Sequence, residues 1–502
     1  MTESRSPSAG LTRPDILDKY PRRWWALVFI ALAQLMIALD TNVVTIALPS
    51  AQHDLGVSDV DRQWIITGYT VAFGGLLLLG GRIADRYGRK ITLMTGVLGF
   101  VVASIAGGLA QDGTTLISAR IAQGVFAALL APSTLALINT IFTDRAERSR
   151  AIGVYSAVLV AGGLLGLVGG GIITSYLDWR WCMFVNVPIA LVVAAGAAVT
   201  LPNPVARPDV RVDVVSAITG CGGVVALVYG FTEAGEHGWG GSRVTVPLVA
   251  ACLLIVAFVL LQGRVRTPLL PLRIFADRNR ATAYASVALA SVGLFAVFLF
   301  LTYQFQIVMG YSPLRTGVAL LPLTVANIVA AILVGNGIAP KVPPRLIMVP
   351  AIISATVALL LMTRVTPHSS YLGLLLPVQI LIGLGLGSAF GPAVATATGG
   401  VREQDAGIAS AAVNTAQQVG ASIGTALLNT IAASATTAFL KAHGGGPSIA
   451  LDAVTHGYAR ASMWAAVILT LTAVLVAVFV NAPAPGGVVD MATGLLEKKE
   501  ER

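Results

Sequence analysis

Gly80-Gly81-Arg82-Ile83-Ala84-Asp85-Arg86-Tyr87-Gly88-Arg89-Lys90 stands between two apolar runs, residues 64–79 and 91–109. Each run is near the roughly 20 residues that cross a bilayer as a helix, so the stretch between them reads as a tight turn at a membrane surface. Its four cations and single Asp place that turn on the cytoplasmic side, where Lys and Arg accumulate. The glycines let two helix ends come close, and Asp85 can face a helix N-terminus or an Arg. Taken alone, the turn sets topology.

The rest of the chain agrees with a membrane reading. Of its 502 residues 56% are hydrophobic and only 11% charged, with a mean hydropathy of +0.80. A soluble domain carries roughly 25% charged residues, so an all-α polytopic membrane protein is expected. The net charge of +9 comes with no basic helix or aromatic-basic stripe, which argues against a nucleic-acid partner. The polar segment 1–23 has no apolar core, so it is not read as a cleavable signal. Cys182, Cys221 and Cys252 stand singly, without metal or redox spacing, and read as packing residues.

Apolar stretches give fourteen candidate spans: 24–48, 64–79, 91–110, 116–142, 151–176, 182–201, 214–232, 245–262, 282–310, 316–338, 347–363, 372–395, 408–436 and 459–481. With the N-terminus inside, the inner segments hold 25 of the 33 Lys and Arg and the outer loops 6. That bias predicts an even span count and cytoplasmic N- and C-termini. A worn copy of the opening stretch appears at Gly335-Asn336-Gly337-Ile338-Ala339-Pro340-Lys341 through Arg345, with Pro340 where Asp85 stood. Parallel repeats of this kind predict two six-helix halves, 24–201 and 282–481. Two extra spans then fall within 202–281, between a cytoplasmic segment 1–23 and a tail 482–502.

The spelling of the opening stretch, G-x-x-A-D-R-x-G-R-K, resembles the loop between the second and third helices of the major facilitator superfamily. Other stretches extend the resemblance to its fourteen-span drug/proton antiporter branch. They are Leu39-Asp40-Thr41-Asn42 with Ala47-Leu48-Pro49, then Gln63-Trp64 with Tyr69, and Arg120-Ile121-Ala122-Gln123-Gly124. Trp179-Arg180-Trp181 with Phe184 and Asn186-Val187-Pro188 follows, and then Asp405-Ala406-Gly407-Ile408 with Asn414, Gln417, Gly420 and Gly424. The fifth-helix antiporter motif keeps Gly162, Gly166, Gly170 and Gly171 but has Leu167 where that branch has Pro, so an expected kink is missing. The resemblance implies a proton-coupled exporter of small amphiphilic drugs in the plasma membrane, working as a monomer among lipids. Its gating loop would use Gly81, Asp85, Arg86, Gly88 and Arg89.

A census of ionisable residues narrows the chemistry. Of 24 acidic residues only Asp40 falls well inside a predicted span, while Glu233 sits at the outer end of the seventh. His53, His237, His368, His443 and His456 all fall in predicted outer loops, and Arg120 is the cation clearly within a span. A charge near the bilayer centre costs several kcal/mol and normally faces a partner or a wet cavity. Asp40 lies roughly 12 Å and Arg120 roughly 6 Å from the outer ends of their spans, a comparable depth. A carboxylate that alternates between an apolar cavity and an Arg is a proton-coupling device, whereas a fixed pair only pins two helices. Gln34, Asn42, Tyr69, Gln123, Tyr303, Gln304, Asn414 and Gln417 are the candidates for a substrate cavity, with helix–helix bonding as their alternative role. No phosphate cradle, H-E-x-x-H site or G-x-S-x-G elbow occurs, so neither a cofactor nor enzyme chemistry is expected. An uptake symporter or uniporter on the same fold and a non-transporting membrane receptor are the rival readings.

Overall fold

The structure, a computed structural model, describes residues 22–58, 61–142, 144–201, 213–265, 268–339, 341–401, 406–443 and 447–483. Its α1 is Arg23–Asp54, α2 Arg62–Tyr87, α3 Arg89–Gly108, α4 Gly113–Ile141 and α5 Arg145–Tyr176. A one-turn helix, Trp181–Phe184, leads into α6, Asn186–Thr200, and α7 (Val214–His237) and α8 (Ser242–Arg264) follow. Next come α9 (Arg278–Tyr303), α10 (Pro313–Leu333), α11 (Pro344–Met362), α12 (Leu376–Thr398), α13 (Ala406–His443) and α14 (Pro447–Phe479). By length and composition thirteen of these qualify as membrane spans. The remaining one, α5, runs for 32 residues with its described apolar part at Ala161–Tyr176. All fourteen predicted spans are helices.

Sequence chemistry explains several of the starts. Asp112, Asp213, Asp277 and Ser312 each cap a helix by accepting the backbone N–H three residues on, which satisfies a donor that the first turn leaves free. The backbone N–H and hydroxyl of Thr115 hold the exposed Asp112 carboxyl below its usual range. In α6 Pro188 sits in the first turn, where a missing N–H costs nothing.

Several helices outrun their apolar stretches. The first ends at Asp54 rather than 48, the thirteenth at His443 rather than 436, and the fourteenth begins at Pro447 rather than 459. Hydropathy marks only the lipid-covered part of a helix, while backbone hydrogen bonding continues into polar surroundings. The opening stretch is corrected in the same way: Gly80–Tyr87 is the end of α2, and the turn shrinks to Gly88 alone. Gly88 has φ +102°, a conformation that side-chain-bearing residues rarely adopt, and α3 begins at the next residue. The worn repeat likewise lies between two helices, with a π turn at Val334–Ile338 before α11, while Pro340 lies outside the described residues.

The helices α1–α6 pack on one another and α9–α14 do the same. The two groups meet chiefly along α2 with α13 and along α5 with α10. The α7–α8 hairpin docks at the first of these seams, through α7 against α2 and α13. Its second helix has an exposed apolar face, including Val246, Val249, Leu253 and Val256.

Candidate functional site

Asp40 and Arg120 meet at the heart of the first helix group. Arg120 donates from Nη1 to Asp40 Oδ2 at 2.5 Å, and both side chains are sealed from solvent. α1 runs fourteen residues beyond Asp40 to Asp54 and α4 begins seven residues before Arg120, so both lie deeper in their helices than the apolar limits implied. Arg120 also donates from Nε to the Ile65 carbonyl at 3.1 Å and from Nη1 to Gln123 Oε1 at 2.7 Å. Its guanidinium carbon stands 4.4 Å from the buried Tyr69 ring centroid, a cation–π contact.

Asp40 has further donors. Asn186 Nδ2 reaches Oδ1 at 2.8 Å, and Gln123 Nε2 reaches the same oxygen at 3.2 Å. Ser104 Oγ joins the cage by accepting from Gln123 Nε2 at 2.7 Å and from Asn186 Nδ2 at 3.4 Å. The cage therefore ties together α1, α2, α3, α4 and α6. A buried carboxylate tolerates this setting because it is paired and saturated with donors. Neither Asn186 nor Ser104 was among the residues expected here. Asn186 carried a signal, a polar residue opening an apolar helix; Ser104 carried none beyond its polarity.

The glycine motif bears on the same spot. A Cβ at Gly162 would stand 2.8 Å from Ala38 Cβ, one at Gly166 2.7 Å from Asn42 Cβ, and one at Gly170 2.9 Å from Val43 Cα. The stripe therefore presses α5 against the stretch of α1 that carries Asp40. Gly171 faces the other way, where a Cβ would lie 2.8 Å from Leu314 Cα of α10. Leu167, in the place of the motif Pro, is buried at this seam with its carbonyl against Gly317, and α5 continues unbroken.

The expected gating residues lie at the far end of α2. Asp85 is bonded by Arg89 at 3.3 Å, across the Gly88 break. Arg89 also donates to the Ala136 carbonyl at 2.9 Å and to Thr140 Oγ1, which binds α3 to α4. Arg86 lies over its neighbour Tyr87 at 5.5 Å, and a Cβ at Gly81 would meet Pro132 Cβ only at 3.7 Å, an ordinary distance. The tight approach belongs to Gly80, where a Cβ would be 1.9 Å from the Ala128 carbonyl.

The residues expected to line a substrate cavity are dispersed. Tyr69, Gln123, Tyr303 and Gln304 are buried, as is Gln34, which accepts from Tyr155 Oη at 2.7 Å. Asn42 is partly exposed and donates to the Ala38 carbonyl at 2.8 Å. Tyr303 Oη donates to Gln52 Oε1 at 2.5 Å, which links α9 to α1, and Gln304 Nε2 reaches the Thr366 carbonyl at 3.4 Å. Gln417 is half-buried and Asn414 exposed on α13. A groove of about 880 Å³ runs between α13 and α14, with Trp239 also in its lining, and none of these eight residues lines it.

The histidines are corrected too. His53, His237 and His443 lie in the last turns of helices, and His456 lies inside α14; of the five, only His368 is in a connection. Phe439 is sandwiched between His443 and His456, at 4.1 and 5.0 Å between ring centroids. His237 Nδ1 stands 3.2 Å from Glu233. Arg460 likewise falls inside α14, but it is exposed, and among the described residues Arg120 is the most deeply buried cation.

Residues 30–425 match the Major Facilitator Superfamily. The chain is 49% identical over 476 residues to the puromycin resistance protein pur8 of Streptomyces alboniger, covering 94% of this chain and 93% of that one. It is 35% identical to the cephamycin export protein CmcT of Amycolatopsis lactamdurans, over 85% of this chain and 89% of the relative. Against the tetracenomycin C resistance and export protein of Streptomyces glaucescens it is 32% identical, covering 86% of this chain and 80% of the relative. Among solved structures it resembles a bacterial homolog of the human lysosomal transporter Spinster, in an inward-facing and unoccupied conformation, with TM-score 0.63 and 17% identity over 91% of this chain and 96% of that one. That likeness supports the fold.

Proposed function

The chain belongs to the major facilitator superfamily, and from this premise we propose that it exports small amphiphilic antibiotics or toxic metabolites by alternating access, driven by inward proton flow. It is a transporter and not an enzyme, and a multi-pass protein of the cell membrane. The single observation that carries the coupled reading is the Asp40–Arg120 pair, sealed inside the first helix group beneath the glycine stripe of α5. The Asp40 carboxyl accepts from an Arg and two amides. On meeting a proton it becomes neutral and loosens its hold on the cation, which changes how α1, α4 and α6 pack.

We divide the chain into two six-helix halves at 24–201 and 282–481, with α7 and α8 in the connecting region 202–281 and cytoplasmic segments at 1–23 and 482–502. The contacts across the halves support an occluded end at the α1–α2 connection. There Gln52 meets Tyr303, the Ile46 carbonyl accepts from Gln306 at 2.9 Å, and Ser175 accepts from the Leu314 N–H at 3.0 Å. The charge bias supports reading that end as the outer one. Substrate would then enter from the opposite side, along the first half of α13, where Asn414 and Gln417 keep some exposure. Protons, amphiphilic substrate and surrounding lipid are the partners, and the transporting unit is the monomer.

Expression in a pump-deficient bacterial host tests this reading. Tolerance to at least one amphiphilic antibiotic or dye rises over the empty host, and the gain disappears with Asp40→Asn. A host whose tolerance never changes across a broad panel would turn the reading away from drug export.

A further inference from the structure

One oxygen of the Asp40 cage is left over. Asn186 is wholly buried, and its Oδ1 has no hydrogen-bond partner among the described residues, while its Nδ2 serves Asp40 and Ser104. Buried polar atoms are almost always paired, so an orphan of this kind calls for a reason. Ser104 Oγ accepts in both of its bonds within the cage, which leaves its own O–H unused there.

The arrangement suits one protonation state. An ionised carboxylate only accepts, and Arg120, Gln123 and Asn186 all donate to it. A proton on Asp40 adds a donor to a ring of donors. Gln123 is not free to answer it, because its Oε1 is held by Arg120 at 2.7 Å and its Nε2 by Ser104 at 2.7 Å. Asn186 is free. A half-turn about its terminal torsion, which has a broad two-fold preference, exchanges Nδ2 and Oδ1. Oδ1 would then accept from Asp40 and Ser104 together. The far side of the amide is unpaired in either orientation, so nothing there pins one of them, and the face toward Asp40 decides.

We infer that Asn186 is a positioning residue for Asp40, an amide that turns over when Asp40 takes up a proton and so carries the protonation state from α1 into α6. This rests on the reading of Asp40 as the coupling carboxylate. The titratable groups around Asp40 are Arg120 from α4, Tyr69 from α2 and Cys182 from the one-turn helix. From α3 and α6 come the neutral Ser104 and Asn186, and α5 presents glycines along this stretch of α1. The location suits a relay: Asn186 is the first residue of α6, and only Val185 separates it from the one-turn helix.

Infrared difference spectra of the full chain in lipid nanodiscs, titrated through the neutral range with side-chain-carbonyl-labelled asparagine, test the inference. Asp40→Asn and Asn186→Val assign the bands. As the carboxylic C=O band of Asp40 grows on acidification, the amide C=O band of Asn186 shifts to lower frequency, since Oδ1 passes from no hydrogen bond to two. In proteoliposomes Asn186→Ser, which still donates and accepts, retains substrate-driven proton release, while Asn186→Val loses it about tenfold or more at wild-type abundance. An Asp40 band that grows while the Asn186 band stays still overturns the inference and leaves the coupling reading intact; so does an Asn186→Val protein that releases protons normally. If no protonated Asp40 forms, with or without substrate, both fall. Where Asn186→Val does not fold, Asn186→Ser removes the same labelled carbonyl and assigns the amide band, so the spectra still decide the matter.

Discussion

Arg62 and Tyr303 stack across the two helix groups, with the guanidinium carbon 4.1 Å from the ring centroid. Arg62 opens α2, is largely buried, and also donates to Asn429 Oδ1 of α13 at 3.3 Å. Further along the same seam Gln63 donates to Thr232 of α7 at 2.7 Å, and Thr70 and Ser422 are joined at 2.7 Å. The α7–α8 hairpin is thus bonded into the seam and is not merely appended to it. Alternating access requires this seam to part. Thr70→Cys with Ser422→Cys, in a background without the three native cysteines, should crosslink under mild oxidation and block efflux, and a reductant should restore both. Efflux that persists in the crosslinked protein would mean the seam does not move.

Gly166 and Gly169 lie three residues apart on α5 but face different surroundings. A Cβ at Gly166 meets Asn42 at 2.7 Å, whereas one at Gly169 meets nothing within 4 Å. Gly166→Leu should destabilise the protein by about 1–3 kcal/mol through overpacking and abolish efflux. Gly169→Ala should leave both near wild type or raise stability slightly, since Ala favours a helix over Gly by about 1 kcal/mol. Thermal unfolding in detergent together with dye efflux checks the pair.

At the other end of α2, Asp85 is held by Arg89 over the Gly88 break, and Arg89 is anchored in α4. If this contact serves the opening and closing of the inner end, Asp85→Asn should abolish transport while membrane abundance stays nearly constant. Loss of protein in proportion to loss of activity would assign Asp85 to topology alone. Surface labelling gives the accompanying check on orientation: a cysteine at Gly238 should be reached from outside intact cells and one at Ser149 should not.

The number and order of the helices were legible because twenty-residue apolar runs have little alternative in a membrane, and because basic residues gather on one side of them. The helix ends were not. Gly80–Tyr87 looks like a loop by composition, yet a single glycine at positive φ suffices to turn the chain, so α2 remains helical up to it. His456 was placed outside for the same reason, since polar residues at a helix end lower the hydropathy without breaking the helix. Of the site, Asp40, Arg120 and Gln123 were legible from their rarity within apolar spans. Asn186 was quoted only as part of a motif, because its position opening an apolar helix does not reveal a bond to Asp40, 146 positions away.

Removing one partner from the buried pair separates packing from coupling. Arg120→Leu leaves the Asp40 carboxylate uncompensated and should cost about 3–5 kcal/mol of stability. Adding Asp40→Asn to it removes the stranded charge and should recover much of that loss, so the two substitutions should be strongly non-additive in a thermal-unfolding cycle. Additive effects would show that the two groups do not act as a pair.

Substrate-induced proton release from purified protein in proteoliposomes tests the central claim most directly. The unsubstituted protein should release protons when an exported antibiotic is added and should drive uphill transport under an imposed proton gradient. Asp40→Asn should do neither, because an amide cannot alternate between a charged and a protonated form, while an uncharged substrate still equilibrates downhill. Proton movement by Asp40→Asn at the wild-type level would contradict the account.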